Sequence, residues 1–126
     1  MNWNWTLIVG GVMAALFLLK RMSFVSAEVA RQYLRRGALV IDVRSPDEFR
    51  SGHVPTALNI PLGELGESLP RRVKDKNQVL LLHCLSGGRS AVAKSRLKRL
   101  GYANAFNLGS YGRARRLVAA KSARSV

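Results

Sequence analysis

Residues 79–84 read VLLLHC, a nearly continuous apolar run of strand length. A second such run, ALVIDV, covers 38–43. Strands this apolar are covered on both faces, as in parallel sheets flanked by helices. The segments between and after them carry helical spacing instead. Alternating strand and helix predicts a parallel sheet with helices on its faces.

The other elements follow from local signals. Ser26 caps a helix with Glu28 in its first turn, Val29, Ala30, Tyr33 and Leu34 at helical spacing, and Gly37 at its end. SPDEFRSG (45–52) predicts a short helix: Ser45 and Glu48 have capping-box spacing, Pro46 fits the first helical position and Gly52 stops it. ALNI (57–60) predicts a second strand, with a short helix near Leu65 and a polar turn at KDKNQ (74–78). RSAVAKSRLKRL (89–100) predicts a helix with Ala93, Leu97 and Leu100 on one face and Gly101 beyond its end; AFNL (105–108) predicts a last strand.

The 126 residues hold one modest domain. Its single cysteine excludes an internal disulfide framework, and one cysteine with two histidines, His53 and His83, gives poor support for zinc. No metal or cofactor is expected. Charge is uneven: from Lys76 onward there are 11 Lys or Arg and no Asp or Glu. That field favours anions without choosing among them. Few aromatics accompany the charge, so a nucleic-acid partner is not expected.

Residues 1–22 stand apart. From Thr6 to Leu19 every residue but Thr6 is apolar or glycine; Trp3 and Trp5 precede the run, and Lys20 and Arg21 close it. A helix over 3–19 would be about 25 Å long, slightly short of the roughly 30 Å hydrocarbon core. Snorkelling cations and interfacial tryptophans suit a single membrane span. The basic residues lie on the wrong side for a signal peptide. Lys20, Arg21, Arg31, Arg35 and Arg36 all follow the segment. The positive-inside rule therefore predicts a single-pass protein of the inner or cell membrane, with its domain cytoplasmic.

Cys84 falls at the carboxyl end of a predicted central strand, where open α/β sheets bind ligands. Leu85, Ser86, Gly87, Gly88, Arg89 and Ser90 follow, leading into a helix. A tight glycine turn can aim several backbone N–H groups at one point, and the helix N-terminus adds its positive end. Both favour thiolate over thiol. A buried inert cysteine is the ordinary alternative, but strand end, glycine turn, arginine and helix start together favour a nucleophile. His83 adjoins Cys84 on the strand and points to the opposite face, so it is no base partner.

CLSGGRS resembles the active-site loop of single-domain rhodaneses, Cys-x-x-Gly-x-Arg-Ser. VIDVRSPDEFRSGHVPTALNIPL (40–62) resembles that family's upstream segment, and LKRLGYANAFNLGS (97–110) the segment after its active-site helix. The resemblance implies a rhodanese-like α/β fold over 23–112 and a sulfurtransferase. Cys84 would take a sulfane sulfur from thiosulfate or a persulfide donor and pass it to a thiol or cyanide. The amides from Leu85 to Ser90 would cradle that sulfur, and Arg89 would organise the loop or hold the donor. Asp42 and Arg44 would serve the surrounding architecture, and His53 would be structural.

Alternatives remain. A domain of this kind can act as a persulfide carrier or docking module without turnover. Phosphatase or arsenate chemistry is disfavoured, because the related phosphatase loop, Cys-x5-Arg, is one residue longer. The family's Gly-Gly-hydrophobic-x-x-Trp ending is absent here. Residues 113–126 read either as a solvated basic tail or as a segment lying on an anionic leaflet.

Overall fold

The computed structural model describes residues 3–124. Helix α1 spans Trp3–Met22 and α2 spans Ala27–Arg35. They are followed by β1 (Leu39–Asp42), α3 (Pro46–Ser51), β2 (Leu58–Asn59), a 3-10 turn (Leu62–Glu64) and α4 (Leu65–Arg72). The chain closes with β3 (Leu80–His83), α5 (Gly88–Arg99), β4 (Ala105–Gly109) and α6 (Tyr111–Arg124).

All four strands are parallel, in the order β2-β1-β3-β4. Parallel neighbours need crossover connections; α4 and α5 bury their apolar faces on the sheet, whereas the short α3 has no buried residue. On one face Leu65, Leu69, Ala93 and Leu97, from α4 and α5, pack on Ile41, Leu80 and Leu82. On the other, Ala30 and Leu34 of α2 and Ala114, Leu117 and Val118 of α6 pack on Val40, Leu81 and Leu108. Burying one such leucine or valine contributes about 1.5–3 kcal/mol. The chain leaves β1 for β2 on one side and returns to β3 on the other. The crevice where strand order reverses thus lies beyond the carboxyl ends of β1 and β3, where Val43–Ser45 and Cys84–Gly87 emerge.

Helix starts follow their caps. The Ser45 hydroxyl accepts from the Glu48 amide, and the Glu48 carboxylate accepts from the Ser45 amide, both at 3.2 Å. The Ser26 hydroxyl accepts from the Val29 amide at 3.3 Å. By contrast, α5 begins at Gly88 without a side-chain cap, after Gly87 in the left-handed region at φ 99°.

Two expectations are corrected. Among the described residues no helix is long and apolar enough to cross a membrane. The uncharged stretch of α1, residues 3–19, is only about 25 Å long at 1.5 Å per residue, against roughly 30 Å of hydrocarbon. The side chains of residues 20–22, which were to extend that reach, lie outside the described residues, as do residues 1 and 2. The expected basic tail is also not a tail. Residues 111–124 form α6, whose Ala114, Leu117 and Val118 are buried in the body. Residues 125 and 126 lie outside the described residues.

Candidate active site

Cys84 sits one residue past β3 and is 1 % exposed. Its amide is tied to the Gly109 carbonyl at 3.2 Å, so the sulfur is placed by the end of the sheet. The chain then turns over the sulfur. The Gly87 amide donates to Sγ at 3.0 Å, and the Ser86 and Ser90 amides also act on it. The Ser90 hydroxyl stands 3.6 Å from Sγ. Burial pushes the Cys84 thiol up, but the Ser90 hydroxyl and the Ser90, Gly87 and Ser86 amides outweigh it, so the net direction is down. Of the cradle expected from Leu85 to Ser90, the Gly87 amide and the Ser90 hydroxyl stand at the sulfur. Leu85 points outward and is 57 % exposed. Gly88 opens α5.

Arg89 is paired with Glu48. Its two terminal nitrogens donate to the Glu48 carboxylate at 2.7 and 3.0 Å, a fork-to-fork pair that ties the start of α5 to α3. It therefore organises the loop. The Arg89 hydrogen bond holds the Glu48 carboxyl well below its ordinary range, at about 2.

Asp42 and Arg44 form a buried pair beneath the loop. The Asp42 carboxylate accepts from the Arg44 amide at 2.9 Å and from its Nε and Nη2, the latter at 2.7 Å. Arg44 Nη2 also donates to the Gly52 carbonyl at 2.8 Å, fixing the end of α3. Asn59 donates to the Asp42 and Arg44 carbonyls, both at 3.0 Å, and stitches β2 to this turn. His83 is fully buried, with Nδ1 3.1 Å from the Cys84 carbonyl and Nε2 3.8 Å from Asp42. A carbonyl only accepts, so Nδ1 carries the proton. Desolvation pushes His83 down, which keeps the ring neutral. His53 lies apart, stacked on Phe49 with centroids 3.8 Å apart.

Two site residues, Glu48 and Asn107, and one further group, the Ser90 hydroxyl, escaped the sequence reading. Glu48 was read only as a helix cap. The Ser90 hydroxyl was passed over in favour of the Ser90 amide. Asn107, inside the apolar run AFNL, is fully buried beside the loop. A buried polar side chain in a strand requires partners, and that was the available signal. Among the described residues no group of His, Cys, Asp and Glu could hold a metal ion.

Comparison with known proteins gives a consistent picture. Residues 26–112 match the family model of the Rhodanese-like domain. The chain is 41 % identical over 69 residues to thiosulfate sulfurtransferase PspE of Escherichia coli (strain K12), covering 55 % of this chain and 66 % of that protein. It is 31 % identical over 83 residues to a putative mitochondrial thiosulfate sulfurtransferase of Schizosaccharomyces pombe (strain 972), covering 57 % and 58 %. The chain thus spans less than two thirds of either relative. The human single-domain sulfurtransferase TSTD1 superposes with a TM-score of 0.64 at 32 % identity, over 72 % of this chain and 93 % of that one.

Proposed function

The chain belongs to the rhodanese family, and from that premise we propose that it is a sulfurtransferase with Cys84 as the sulfur carrier. The Cys84 thiolate attacks the outer sulfur of thiosulfate. A sulfur–sulfur bond forms at Sγ, the bond to the sulfonate sulfur breaks, and sulfite leaves with its electron pair. The persulfide then gives its outer sulfur to a thiolate or cyanide and the Cys84 thiolate returns. A persulfide donor serves equally, with a thiolate as leaving group. The observation that carries this reading is the Gly87 amide, 3.0 Å from Sγ, with the Ser90 hydroxyl 3.6 Å from the same atom. Such a nest favours thiolate and holds the charge of a persulfide.

The test is mass spectrometry after thiosulfate treatment. One added sulfur on Cys84 is expected, absent in Cys84→Ser. A chain that takes up no sulfur, or takes it up equally without Cys84, overturns the reading.

We extend the proposal to location. Helix α1 leaves Trp3 77 %, Leu7 71 % and Leu16 56 % exposed. So large an apolar surface calls for a lipid cover. α1 attaches the domain to a membrane, and the basic residues after it favour the anionic cytoplasmic leaflet. The full chain should float with phospholipid vesicles, and Leu7→Glu with Leu16→Glu should stay behind. A wild-type chain that does not float overturns attachment. Protease access in sealed vesicles reports the side.

A further inference from the structure

Asn107 lies on β4 beside the cysteine loop, and its amide orientation is fixed by its neighbours. One atom accepts from the Gly109 amide at 3.0 Å, and the other faces the Gly87 carbonyl at 3.1 Å. An amide N–H cannot accept from Gly109, and an amide oxygen cannot donate to Gly87. So Oδ1 faces Gly109 and Nδ2 faces Gly87. The same Oδ1 lies 2.7 Å from Ser90 Oγ. Because Oδ1 only accepts, the proton in that short contact belongs to Ser90. Ser90 has no second proton to offer, yet its oxygen also stands 3.6 Å from Cys84 Sγ. Ser90 and Asn107 are both fully buried, so bulk water does not supply a substitute partner.

The geometry points to Asn107 as a positioning residue: it competes with Cys84 for the single proton of the Ser90 hydroxyl. While the sulfur is a neutral thiol, that proton rests on Asn107 at the shorter distance. When the sulfur becomes a thiolate, a rotation about the Ser90 Cβ–Oγ bond turns the same O–H toward Sγ with no heavy atom displaced. Asn107 Oδ1 keeps the Gly109 amide meanwhile. Charge-assisted bonds are the stronger ones, so the turn accompanies ionisation. The hydroxyl donor to the sulfur is thus drawn out by the charge itself, and Asn107 sets the cost of drawing it. This rests on reading Cys84 as the reacting thiolate. It does not require that sulfur be transferred.

The test titrates Cys84 in the full chain by its rate of alkylation with iodoacetamide against pH. Cys84 is the only cysteine, so the signal has one source. Asn107→Ala is compared in the wild-type and Ser90→Ala backgrounds. Any relaxation of Gly87 or Gly109 is present in both backgrounds and cancels. The remaining difference, which passes through the hydroxyl, is expected to be a downward shift of the thiolate midpoint by about one pH unit, a tenfold change in ionisation. A difference of zero, or an upward one, overturns the proposal. Asn107→Asp keeps the shape and the Gly109 contact, and so remains available if the alanine variant does not fold. Its carboxylate holds the Ser90 proton harder, so the same difference should be upward; zero or downward again overturns it. Alkylation needs no sulfur donor, so failed persulfide loading with the expected coupling would sink the sulfurtransferase reading alone.

Discussion

The ring of Phe24 lies so close over Gly87 that a Cβ on the glycine would stand 2.6 Å from both Cε1 and Cζ. Phe24 belongs to the segment joining α1 to the body, and it pairs with Asn107 in an isolated parallel bridge. The Val25 amide donates to the Asn107 carbonyl at 2.8 Å, and Arg113 Nη2 donates to the Val25 carbonyl at 2.6 Å. The segment leaving α1 is therefore seated on the turn that aims an amide at Cys84.

Gly87→Ala meets two separate obstacles, the Phe24 ring and the left-handed backbone at φ 99°. The backbone term alone costs about 1–2 kcal/mol. Urea denaturation should show a larger loss for Gly87→Ala. Adding Phe24→Ala should relieve the contact but leave the backbone share. A fully additive pair of losses would show that the ring does not limit the turn.

Among the described residues Arg44 is the cation paired with Asp42, which is fully buried, and Arg44→Ala removes it. An uncompensated buried carboxylate costs about 3–5 kcal/mol. The exposed pair of Arg50 and Asp47, 70 % and 88 % accessible, is a control on the same stretch of chain. Arg50→Ala should cost less than about 1 kcal/mol. Equal losses for the two variants in thermal or urea unfolding would contradict this assignment of the buried pair.

What the sequence showed and what it hid divides by range. Cys84 at a strand end was legible because VLLLHC, two glycines and a helix start are contiguous. The Ser45–Glu48 cap was legible because its bonds span three residues. The second duty of Glu48, toward Arg89, spans 41 residues and exists only because α3 and α5 begin on the same crevice. Asn107 was hidden likewise: its contacts with Ser90 and Gly87 require β4 to lie beside β3. In α6 the apolar positions 114, 117 and 118 do have helical spacing, but arginines between them read as a solvated run. α1 was recognised as a separate apolar helix, but among the described residues no helix is long and apolar enough to cross a membrane.

The Glu48–Arg89 pair makes a pH prediction. The Glu48 carboxyl is held at about 2, below its ordinary 4.5. A lowered carboxyl pKa contributes stability above the ordinary value, and that contribution is lost as pH falls toward the folded one. The side chains are 32 % and 39 % exposed, so solvent screens the pair and its contribution is at most about 1 kcal/mol. Thermal unfolding of Glu48→Gln against wild type should show a gap at pH 6 that closes between about pH 4.5 and pH 2. A gap that widens on acidification would reverse the sign and remove the pair from the account.

The cysteine itself should show one ionisation. Burial opposes the Cys84 thiolate, yet the Ser90 hydroxyl and the Ser90, Gly87 and Ser86 amides bring its pKa below the ordinary value. Alkylation rate should therefore rise with pH through a midpoint below that of a free cysteine, and reactivity should be lost as pH falls through that midpoint. His83 shares the peptide with Cys84 and is a natural suspect for a second step. Desolvation pushes it down, and its protonated nitrogen already donates to the Cys84 carbonyl. It stays neutral across the working range, so no limb near its ordinary 6.5 is expected. A two-step profile whose lower step vanishes in His83→Gln would restore His83 as a participant; a single step leaves the thiolate to the turn alone.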